Sequence, residues 1–597
     1  LTSSRGKNDL KLVDFVARFA HIYSLFRNKM FITDIRTQFY DVILHHRVLV
    51  LVADDVDAIC ACKILQTLLQ WDHVQYTLVP VSGKDDVEQA FLEHSEQLKY
   101  VVLINCGGTV NLLESLQPDE NVVFFICDSH RPLHLWNIYN ETQIKLLMSP
   151  DDDFDIPSYE EVFRDDESDS DDSGAESDSS EPTGKRRRYD EDALVRKMNR
   201  RQERRNWDDK RSKILFDYEE FSYYGSSAAV VMYNLAWKKS KDTNDLLWWA
   251  IVGLTDQLIH KKIDREKYVS DVTELNRHVA RHNHRGEDEE NTVSVNTMKI
   301  SFLPDLQLVL YRHWSIFESL KHSSYTACNL KLWTLKGQKK LNEFLADMGL
   351  PLAQCQQKFS AMDITYKNSI RELLESSARK FGLENITLPS FLAQYGFKNK
   401  FCAFDIAYAV EAILESVDKN KSSEERFLDA LDCLSRSYID KLHKGLDASK
   451  LQLQAVVIQV QSLLDMGQVV SAGPFLYAFL PEGTPETKFF AHPNCLSMLA
   501  RFALEAYVKM SKSKKAKNLP LVMTAPLNSE TGTSLVIGVP PLPELEQSSR
   551  NFFGRAFEQA GKKTGSRTLH NHFDSSIMEL KTGDRSKFFD ALISLLS

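Results

Sequence analysis

The sequence predicts an α/β protein built on a parallel sheet, followed by a helical segment and a second α/β module. Continuous apolar runs such as Val48–Val52 and Tyr100–Ile104 alternate with helical stretches early in the chain. Strands that are apolar on both faces are typical of parallel sheets covered by helices on both sides. Beyond about residue 261 the apolar spacing becomes mostly helical, and strand-like runs return from residue 475 onward.

The first module is predicted from alternating strand and helix patterns. The predicted strands and helices follow one another at 48–52, 58–69, 74–81, 86–98, 100–104 and 122–127. The same α/β pattern resumes with Gly225–Ala229, which opens a helix to Trp237, and continues through Leu246–Asp256. Short apolar strands separated by amphipathic helices are the signature of repeated βα units.

The later elements are predicted from spacing and from helix-stop residues. Apolar residues at i, i+3, i+4 and i+7 from Leu341 to Met348 predict a helix, which Gly349 and Pro351 end. The C-terminal module is predicted to contain strands at 475–480, 521–524 and 534–539 and helices at 554–560 and 587–596.

These patterns divide the 597-residue chain into four expected segments. Residues 1–29 are interpreted as an N-terminal extension outside the native protein, because Met30 resembles a natural start. The expected segments are this extension at 1–29, an α/β domain at 30–260, a mostly helical interdomain at 261–400 and a C-terminal α/β domain at 401–597.

A charged insert is expected at residues 151–212. Residues 151–181 carry fifteen acidic residues and one basic residue, which predicts disorder because so few apolar groups can be buried. The following stretch, 196–213, is rich in arginine and lacks Gly and Pro, which predicts an exposed helix. Its basic residues have three interpretations: nuclear import, nucleic-acid contact or a solvated helix paired with the acidic run. We favour nuclear import through Lys185, Arg186, Arg187 and Arg188.

Bulk composition excludes several protein classes. The net charge of −10 is not that of a basic nucleic-acid coat, so any nucleic-acid contact must come from local patches. Nine scattered cysteines without a CxxC pair predict neither a zinc ribbon nor a disulfide framework. No apolar run is long enough for a membrane span, and no GxxxxGK[ST] phosphate loop is present. No cofactor is expected.

Two aspartates directly follow the first predicted strand. Asp55 and Asp57 lie at the carboxyl end of this strand, which is where open α/β sheets bind ligands. They could hold a hard cation in one loop. They could equally cap the next helix, since aspartate is favoured at helix N-termini.

Three spaced elements together resemble the DHH phosphoesterases, a superfamily in which such motifs bind two divalent metals. They are the segment around Asp55 and Asp57, Cys127–Pro132 after the fourth strand, and Val252–Asp256. The resemblance implies two metals that activate a water for phosphoester hydrolysis. The motif positions that the resemblance assigns here are Ala53, Asp55, Asp57, Asn105, Asp128, Ser129, His130 and Asp256.

Three of these positions depart from the expected ligands. Ala53 replaces the leading ligand, Asn105 replaces an aspartate and Ser129 replaces a histidine. Two adjacent metals need several carboxylates to balance their charge, so these losses predict no metal site and no catalytic residue. The alternative is one weak cation held by Asp55, Asp57 and Asp256. We favour the interpretation that these aspartates accept hydrogen bonds from loop amides.

Longer strings resemble one eukaryotic family, that of cell division control protein 45. Asp55–Lys63, Leu247–Asp256 and Asn551–Phe557 carry this resemblance, which runs from about Met30 to the C-terminus. It implies a DHH-like domain, a helical insert domain and a C-terminal DHHA1-like domain.

The resemblance also implies a function and a set of partners. The expected function is that of a non-catalytic nuclear scaffold in the replicative helicase. The expected partners are the GINS complex, the minichromosome maintenance ring, replication initiation factors and weakly bound single-stranded DNA. Candidate DNA contacts are Arg131, Arg555 and Lys562. The alternatives are a residual metal-dependent single-strand exonuclease and a free single-stranded DNA sensor.

Overall fold

The structure is a computed structural model of the chain. It describes residues 31–96, 98–148, 156–163, 191–287, 298–396, 399–542 and 550–597. The extension at 1–29, most of the acidic run and the proposed import signal at 185–188 lie outside the described residues. The chain forms two units, one of residues 153–221 and one of the residues before and after them.

The N-terminal part contains the predicted parallel sheet. Five strands pair in parallel in the order β2-β1-β3-β4-β6, and β1 and β3 are buried along their whole length. The five strands of the sheet are Val48–Ala53 (β1), Tyr76–Val81 (β2), Tyr100–Ile104 (β3), Val123–Cys127 (β4) and Ile144–Leu146 (β6), and His130–Arg131 (β5) lies outside it. The helices are Asp41–Ile43 (α1), Val56–Trp71 (α2), Lys84–His94 (α3), Leu112–Leu116 (α4) and Leu135–Tyr139 (α5).

The strand order creates a crevice at the carboxyl edge of the sheet. From β1 the chain moves to β2 on one side and then to β3 on the other, so the order reverses between β1 and β3. Val52 of β1 pairs with Ile104 of β3, so the residues that follow the two strands emerge side by side. Open α/β sheets bind ligands at such a reversal.

The unit of residues 153–221 contains a short and a long helix. These are Tyr159–Val162 (α6) and Glu191–Glu219 (α7). The arginine-rich stretch is helical, as predicted, and residues 201–206 are exposed. Arg211 Nε donates to the Val162 carbonyl at 2.7 Å, which joins α6 to α7.

Three helices then return the chain to the parallel sheet. The elements are Tyr223–Tyr224 (β7), which pairs with β5, and Ala228–Lys238 (α8), Asn244–Ile259 (α9) and Arg265–Glu287 (α10). Helix α9 is buried from Leu246 to Gln257, and it packs against α2 and α8. Thr243 begins α9 as its N-cap, with Leu246 N donating to its hydroxyl at 3.4 Å.

The middle of the chain is helical, but it also contains an antiparallel sheet that was not predicted. Its strands are Met298–Leu306 (β8), Thr387–Tyr395 (β9) and Asn399–Cys402 (β10), in the order β10-β9-β8. Strands β8 and β9 alternate in burial along much of their length. The helices between them are Ile316–His322 (α11), Ser324–Leu330 (α12), Leu335–Asp347 (α13), Leu352–Gln356 (α14) and Ile364–Ala378 (α15).

The C-terminal part is a mixed six-stranded sheet with helices on both faces. Its order is β11-β12-β13-β14-β16-β15, and only β12 and β13 pair in parallel. Its strands are Val470–Ser471 (β11), Leu476–Phe479 (β12), Leu521–Asn528 (β13), Thr533–Val539 (β14), Thr568–Leu569 (β15) and Ile577–Lys581 (β16). The helices of this part are Ala403–Leu414 (α16), Ser423–Cys433 (α17), Ile439–Asp465 (α18), Thr487–Phe490 (α19), Pro493–Met510 (α20), Phe553–Thr564 (α21) and Arg585–Leu596 (α22).

One apolar core joins the middle helices to the C-terminal sheet. Phe344 of α13 and Met523 of β13 belong to the same buried cluster, whereas Val522 faces a second cluster under α21 and α22. The expected boundary between residues 400 and 401 falls within β10. All nine cysteines are buried and unpaired with one another. In the part of the chain that the structure describes, no helix has the length and apolar character of a membrane span.

Candidate functional site

Asp55 begins helix α2 as its N-cap. The Ala58 N–H donates to Asp55 Oδ1 at 2.9 Å, so one carboxylate oxygen stabilises an N–H group that has no partner within the helix. The loop after β1 thus places Asp55 at the crevice and turns it toward its own helix. This hydrogen bond confirms the capping interpretation of Asp55.

Asp57 is buried and holds the start of a different helix. The Ser227 hydroxyl and the Ala229 N–H donate to its Oδ1 at 2.5 and 3.0 Å, and the Ala228 N–H donates to Oδ2 at 2.9 Å. These donors lie at the N-terminus of α8, where a carboxylate is also stabilised by the helix dipole. Burial, followed by the nearby charge of Asp55, raises the pKa of Asp57 to about 6 although these hydrogen bonds oppose the shift.

Asn105 lies directly after β3 and joins the two aspartates. Its Oδ1 accepts the Ser129 N–H at 3.0 Å, which fixes the orientation of the amide because a backbone nitrogen can only donate. Its Nδ2 therefore points to the carboxylates, at 3.2 Å from Asp55 Oδ1 and 3.2 Å from Asp57 Oδ2. An N–H donor thus stands between the two aspartates. The φ of Asn105 is +52°, a left-handed conformation that asparagine tolerates better than most residues.

Asp128 and His130, the retained part of the third motif, bind each other. Asp128 Oδ1 lies 2.7 Å from His130 Nδ1, and Asp128 Oδ2 accepts the Gly108 N–H at 2.8 Å. Burial alone would raise the pKa of Asp128, but the His130 charge and these hydrogen bonds lower it overall. The pair is buried and uses both oxygens of the carboxylate. Burial opposes a rise in the pKa of His130, but the charge of Asp128 raises it overall. Ser129, between them, is buried as well.

Asp256 lies on α9 beside two cationic groups. His260 Nε2 is 3.4 Å from Asp256 Oδ1 and 3.4 Å from Glu411 Oε1. Burial lowers the pKa of His260, but the charges of Glu411 and then Asp256 outweigh it and raise the value to about 9. Lys262 Nζ lies 3.9 Å from the other Asp256 oxygen. The fourth motif is therefore neutralised by side chains of the protein.

The comparisons with known proteins agree with one another. The family model CDC45 matches residues 48–181 and 151–595. The cell division control protein 45 homolog of Homo sapiens is 56% identical over 569 residues, which cover 95% of this chain and 100% of the human protein. This chain belongs to the CDC45 family. The family resemblance predicted from the sequence is confirmed, and membership assigns the chain a role in DNA replication.

More distant CDC45 proteins extend the likeness to the fold. Cell division control protein 45 of Saccharomyces cerevisiae is 24% identical over 629 residues, covering 90% of this chain and 94% of the yeast protein. The crystal structure of CDC45 from Entamoeba histolytica has a TM-score of 0.64 at 24% identity, covering 97% of this chain and 99% of that one. The predicted fold class is confirmed. The RecJ structure with Mn²⁺ from Thermus thermophilus has a TM-score of 0.38 at 11% identity, covering 92% of this chain and 52% of that one.

The arrangement of this CDC45-family site does not fit a dinuclear metal centre. The Ala53 side chain offers no ligand atom, and the amide group of Asn105 donates hydrogen bonds where a cation would need acceptors. The oxygens of Asp57 and Asp128 already accept several donors. In the described residues, no three His, Cys, Asp or Glu side chains are grouped as metal ligands. The donor set is that of a polar core.

The three candidate DNA contacts occupy different environments. Arg131 is 2% exposed, and its Nη1 donates to the carbonyls of Asp128 and His130 at 2.7 and 2.9 Å. A contact between Arg131 and a DNA phosphate would require the side chain to leave these carbonyls. Arg555 and Lys562 lie on α21, where both pair with Glu558. The Lys562 side chain is 74% exposed.

The C-terminal module contributes residues to the crevice that the sequence did not reveal. Asp574 accepts the Tyr224 hydroxyl at 2.8 Å, and the Tyr224 and His130 ring centres are 5.2 Å apart. Asn571 accepts the N–H groups of Lys84 and Asp85 at the start of α3, at 2.8 and 2.9 Å. More than 300 residues separate these partners in the chain, so no local spacing could have indicated the contact. The module closes over the edge of the parallel sheet.

Proposed function

We propose that this chain is a non-catalytic scaffold subunit of the eukaryotic replicative helicase. In this role it bridges the GINS complex and the minichromosome maintenance ring during initiation and elongation, in the nucleus. The observation that carries the proposal is the orientation of Asn105, whose Nδ2 donates to both Asp55 and Asp57. A phosphoesterase would need these oxygens for metal ions.

The absence of a nucleotide-binding motif also supports a non-catalytic subunit. The chain has no GxxxxGK[ST] phosphate loop, so ATP hydrolysis is expected in a partner. A scaffold needs a rigid body with large faces, since permanent complexes bury about 2,000 Å² or more. The shared core of the middle helices and the C-terminal sheet supplies such a body.

The scaffold proposal is tested by reconstitution. The full chain is mixed with purified GINS and the minichromosome maintenance ring, and assembly is followed by size-exclusion chromatography and DNA unwinding. We expect one complex, and unwinding that rises sharply only when the chain is present. Asp55→Asn keeps an acceptor for the Ala58 N–H and serves as the matched control, with unchanged unwinding. A chain that elutes alone and leaves unwinding unchanged would contradict the proposal.

The non-catalytic part is tested separately with a nuclease assay. End-labelled single-stranded DNA is incubated with the chain and Mn²⁺, and we expect no cleavage above a protein-free control. Cleavage by the wild-type chain that disappears in Asp57→Asn would favour the residual exonuclease. The variant matters because contaminating nucleases would be insensitive to Asp57.

Weak binding of single-stranded DNA is proposed through the surface around α21. Lys562 is the more accessible of the two cations there, although Glu558 competes with phosphate for it. Affinity should fall with salt in proportion to the number of phosphates contacted. Lys562→Glu should reduce both the affinity and the salt slope, as measured by fluorescence anisotropy. The alternative, a free DNA sensor, predicts the same binding without assembly into the helicase.

A further inference from the structure

Lys262 extends into the group of carboxylates at the crevice. It follows the C-terminal end of α9, and its side chain is only 12% exposed. The ammonium lies 3.9 Å from Asp256 Oδ2 and 5.3 Å from the Tyr224 ring centre. No motif assigned to the site includes this residue.

Several carboxylates act on the Lys262 ammonium from different parts of the chain. Partial burial lowers the pKa of Lys262, but the negative charges nearby raise it above its ordinary value overall. These charges come, in decreasing order, from Asp55, Asp256, Asp57 and Asp574. The first three are retained motif positions, and the fourth belongs to the C-terminal module. Charges of the first motif, the fourth motif and the C-terminal module therefore all act on this ammonium, which lies beside Asp256.

The carboxylates need such a charge because they cannot all remain buried and unpaired. An ionised carboxylate removed from water without a counter-charge is strongly destabilising. Asn105 supplies two N–H donors but no positive charge. His130 is paired with Asp128, and His260 is shared between Asp256 and Glu411. Lys262 and Arg501 are the other cations whose charges act on Asp256. Lys262 is the one that lies 3.9 Å from it and is also affected by the charges of Asp55 and Asp57.

We propose that the Lys262 ammonium takes the electrostatic place of the metal ions and, by doing so, excludes divalent cations from this crevice. The site then retains carboxylates of the kind found in a metal centre, and the Lys262 ammonium neutralises them in place of a metal ion. This inference rests on the non-catalytic part of the proposed function. It requires neither the helicase partners nor DNA.

The test measures Mn²⁺ binding by the full-length chain and by Lys262→Met. Bound Mn²⁺ is followed by loss of the electron paramagnetic resonance signal of the hydrated ion. We expect no specific Mn²⁺ binding by the wild-type chain. The Mn²⁺ affinity of Lys262→Met should be at least about tenfold higher than that of the wild-type chain, since a unit positive charge is removed from beside the carboxylates. Mn²⁺ should also raise the melting temperature of Lys262→Met, but not that of the wild-type chain.

Lys261→Met is the matched control. The neighbouring lysine is exposed, and the acidic group that acts most strongly on it is Glu505 rather than an aspartate of the crevice. Its substitution should leave Mn²⁺ binding at the wild-type level. Equal Mn²⁺ binding by Lys262→Met and Lys261→Met would overturn the proposal.

If Lys262→Met does not fold, Mn²⁺ binding by the wild-type chain can still test the proposal. Mn²⁺ binding by the wild-type chain that is lost in Asp55→Asn would show that the cation position is still available to a metal. That result would overturn the proposal. Neither Mn²⁺ assay contains GINS, the minichromosome maintenance ring or DNA, so its outcome is independent of the reconstitution. A failure of this proposal can therefore be distinguished from a failure of the scaffold proposal.

Discussion

Asn105 differs from an aspartate by one group, and that group changes how the surrounding carboxylates are neutralised. Its amide accepts from Ser129 on one side and donates to Asp55 and Asp57 on the other. An aspartate would keep the first interaction, lose the second and add a third negative charge. An amide in place of a carboxylate at this position therefore removes one possible cation ligand and at the same time supplies donors to a polar core.

We predict that Asn105→Asp destabilises the chain at neutral pH. The loss should be about 2–3 kcal/mol, because buried carboxylate oxygens lose donors and gain a like charge. Lowering the pH should recover part of this loss, since a protonated carboxyl can donate again. Urea unfolding at pH 7.5 and pH 5 measures both effects.

Asn140→Asp is the control for that substitution. The Oδ1 of Asn140 accepts the N–H groups of Thr142 and Gln143 at 3.1 and 2.8 Å, and a carboxylate accepts equally well. This variant should unfold like the wild-type chain. Similar losses in the two variants would mean that the charge of any new aspartate, rather than its place beside Asp55 and Asp57, causes the effect.

His260 predicts a pH dependence of stability on the alkaline side. Its pKa in the folded chain is about 9, above the ordinary 6.5. The charged form therefore stabilises the fold fully below about pH 6.5, and this contribution is lost as the pH rises through 9. The shift corresponds to about 3 kcal/mol. The free energy of unfolding of His260→Gln should be lower than that of the wild-type chain by about this amount at pH 6.

The difference between His260→Gln and the wild-type chain should close as the pH approaches 10. Chemical denaturation at a series of pH values gives the two curves. His45→Gln, at an exposed position, controls for the loss of a histidine as such. A constant difference between the curves of His260→Gln and wild type would show that the ring acts by packing rather than by charge.

Helix α9 approaches α2 and α8 closely because it carries a glycine. A Cβ at Gly253 would lie 2.6 Å from the Ala229 Cβ and 2.7 Å from Asp57 Oδ1. Gly253→Ala should therefore destabilise the chain by about 1–3 kcal/mol, although alanine is the better helix former. The expected result is a lower melting temperature in differential scanning calorimetry.

Gly583→Ala provides the comparison. A Cβ there meets only Arg567 Nη2, at 3.8 Å, which is an ordinary contact. Its melting temperature should match that of the wild-type chain or exceed it slightly. If Gly253→Ala melted at the same temperature as Gly583→Ala, the close approach of α9 to α8 would not depend on glycine.

Elements with strong local patterns were predictable from the sequence, and elements that depend on distant partners were not. Strands β1 and β3 are continuous apolar runs, and they lie where they were expected. Strand β8 pairs with β9 about 80 residues later, and its polar and apolar residues alternate too weakly to distinguish a strand.

The contacts of the functional site could also be predicted from the sequence only where they are local. The N-cap role of Asp55 was predictable because it depends on the next three residues. The role of Asp57 at α8 depends on residues 170 positions away, and the contact of Asp574 with Tyr224 spans 350 positions. The spacing of residues in the sequence does not indicate such long-range contacts. The residue types of the motif were informative, but their partners needed the structure.

At the scale of the whole molecule, the expected segments 261–400 and 401–597 share a core. Phe344 and Leu374 from the middle helices lie in one cluster with Leu499 and Met523 from the C-terminal part. Each of these side chains is fully buried. The two segments should therefore unfold together, because neither covers its own apolar face.

We accordingly predict that residues 401–597 do not fold when produced alone. The fragment would begin inside β10 and would expose the face of β13 that carries Met523. Exposed apolar surface of this extent leads to aggregation or to a loosely packed state. Calorimetry of the fragment should show no cooperative transition, whereas the full chain should show one. Co-expression with residues 1–400 should restore a soluble complex, since the second fragment supplies the missing side of the core. A sharp transition in the isolated fragment, near the melting temperature of the full chain, would mean that the sheet and its own helices suffice.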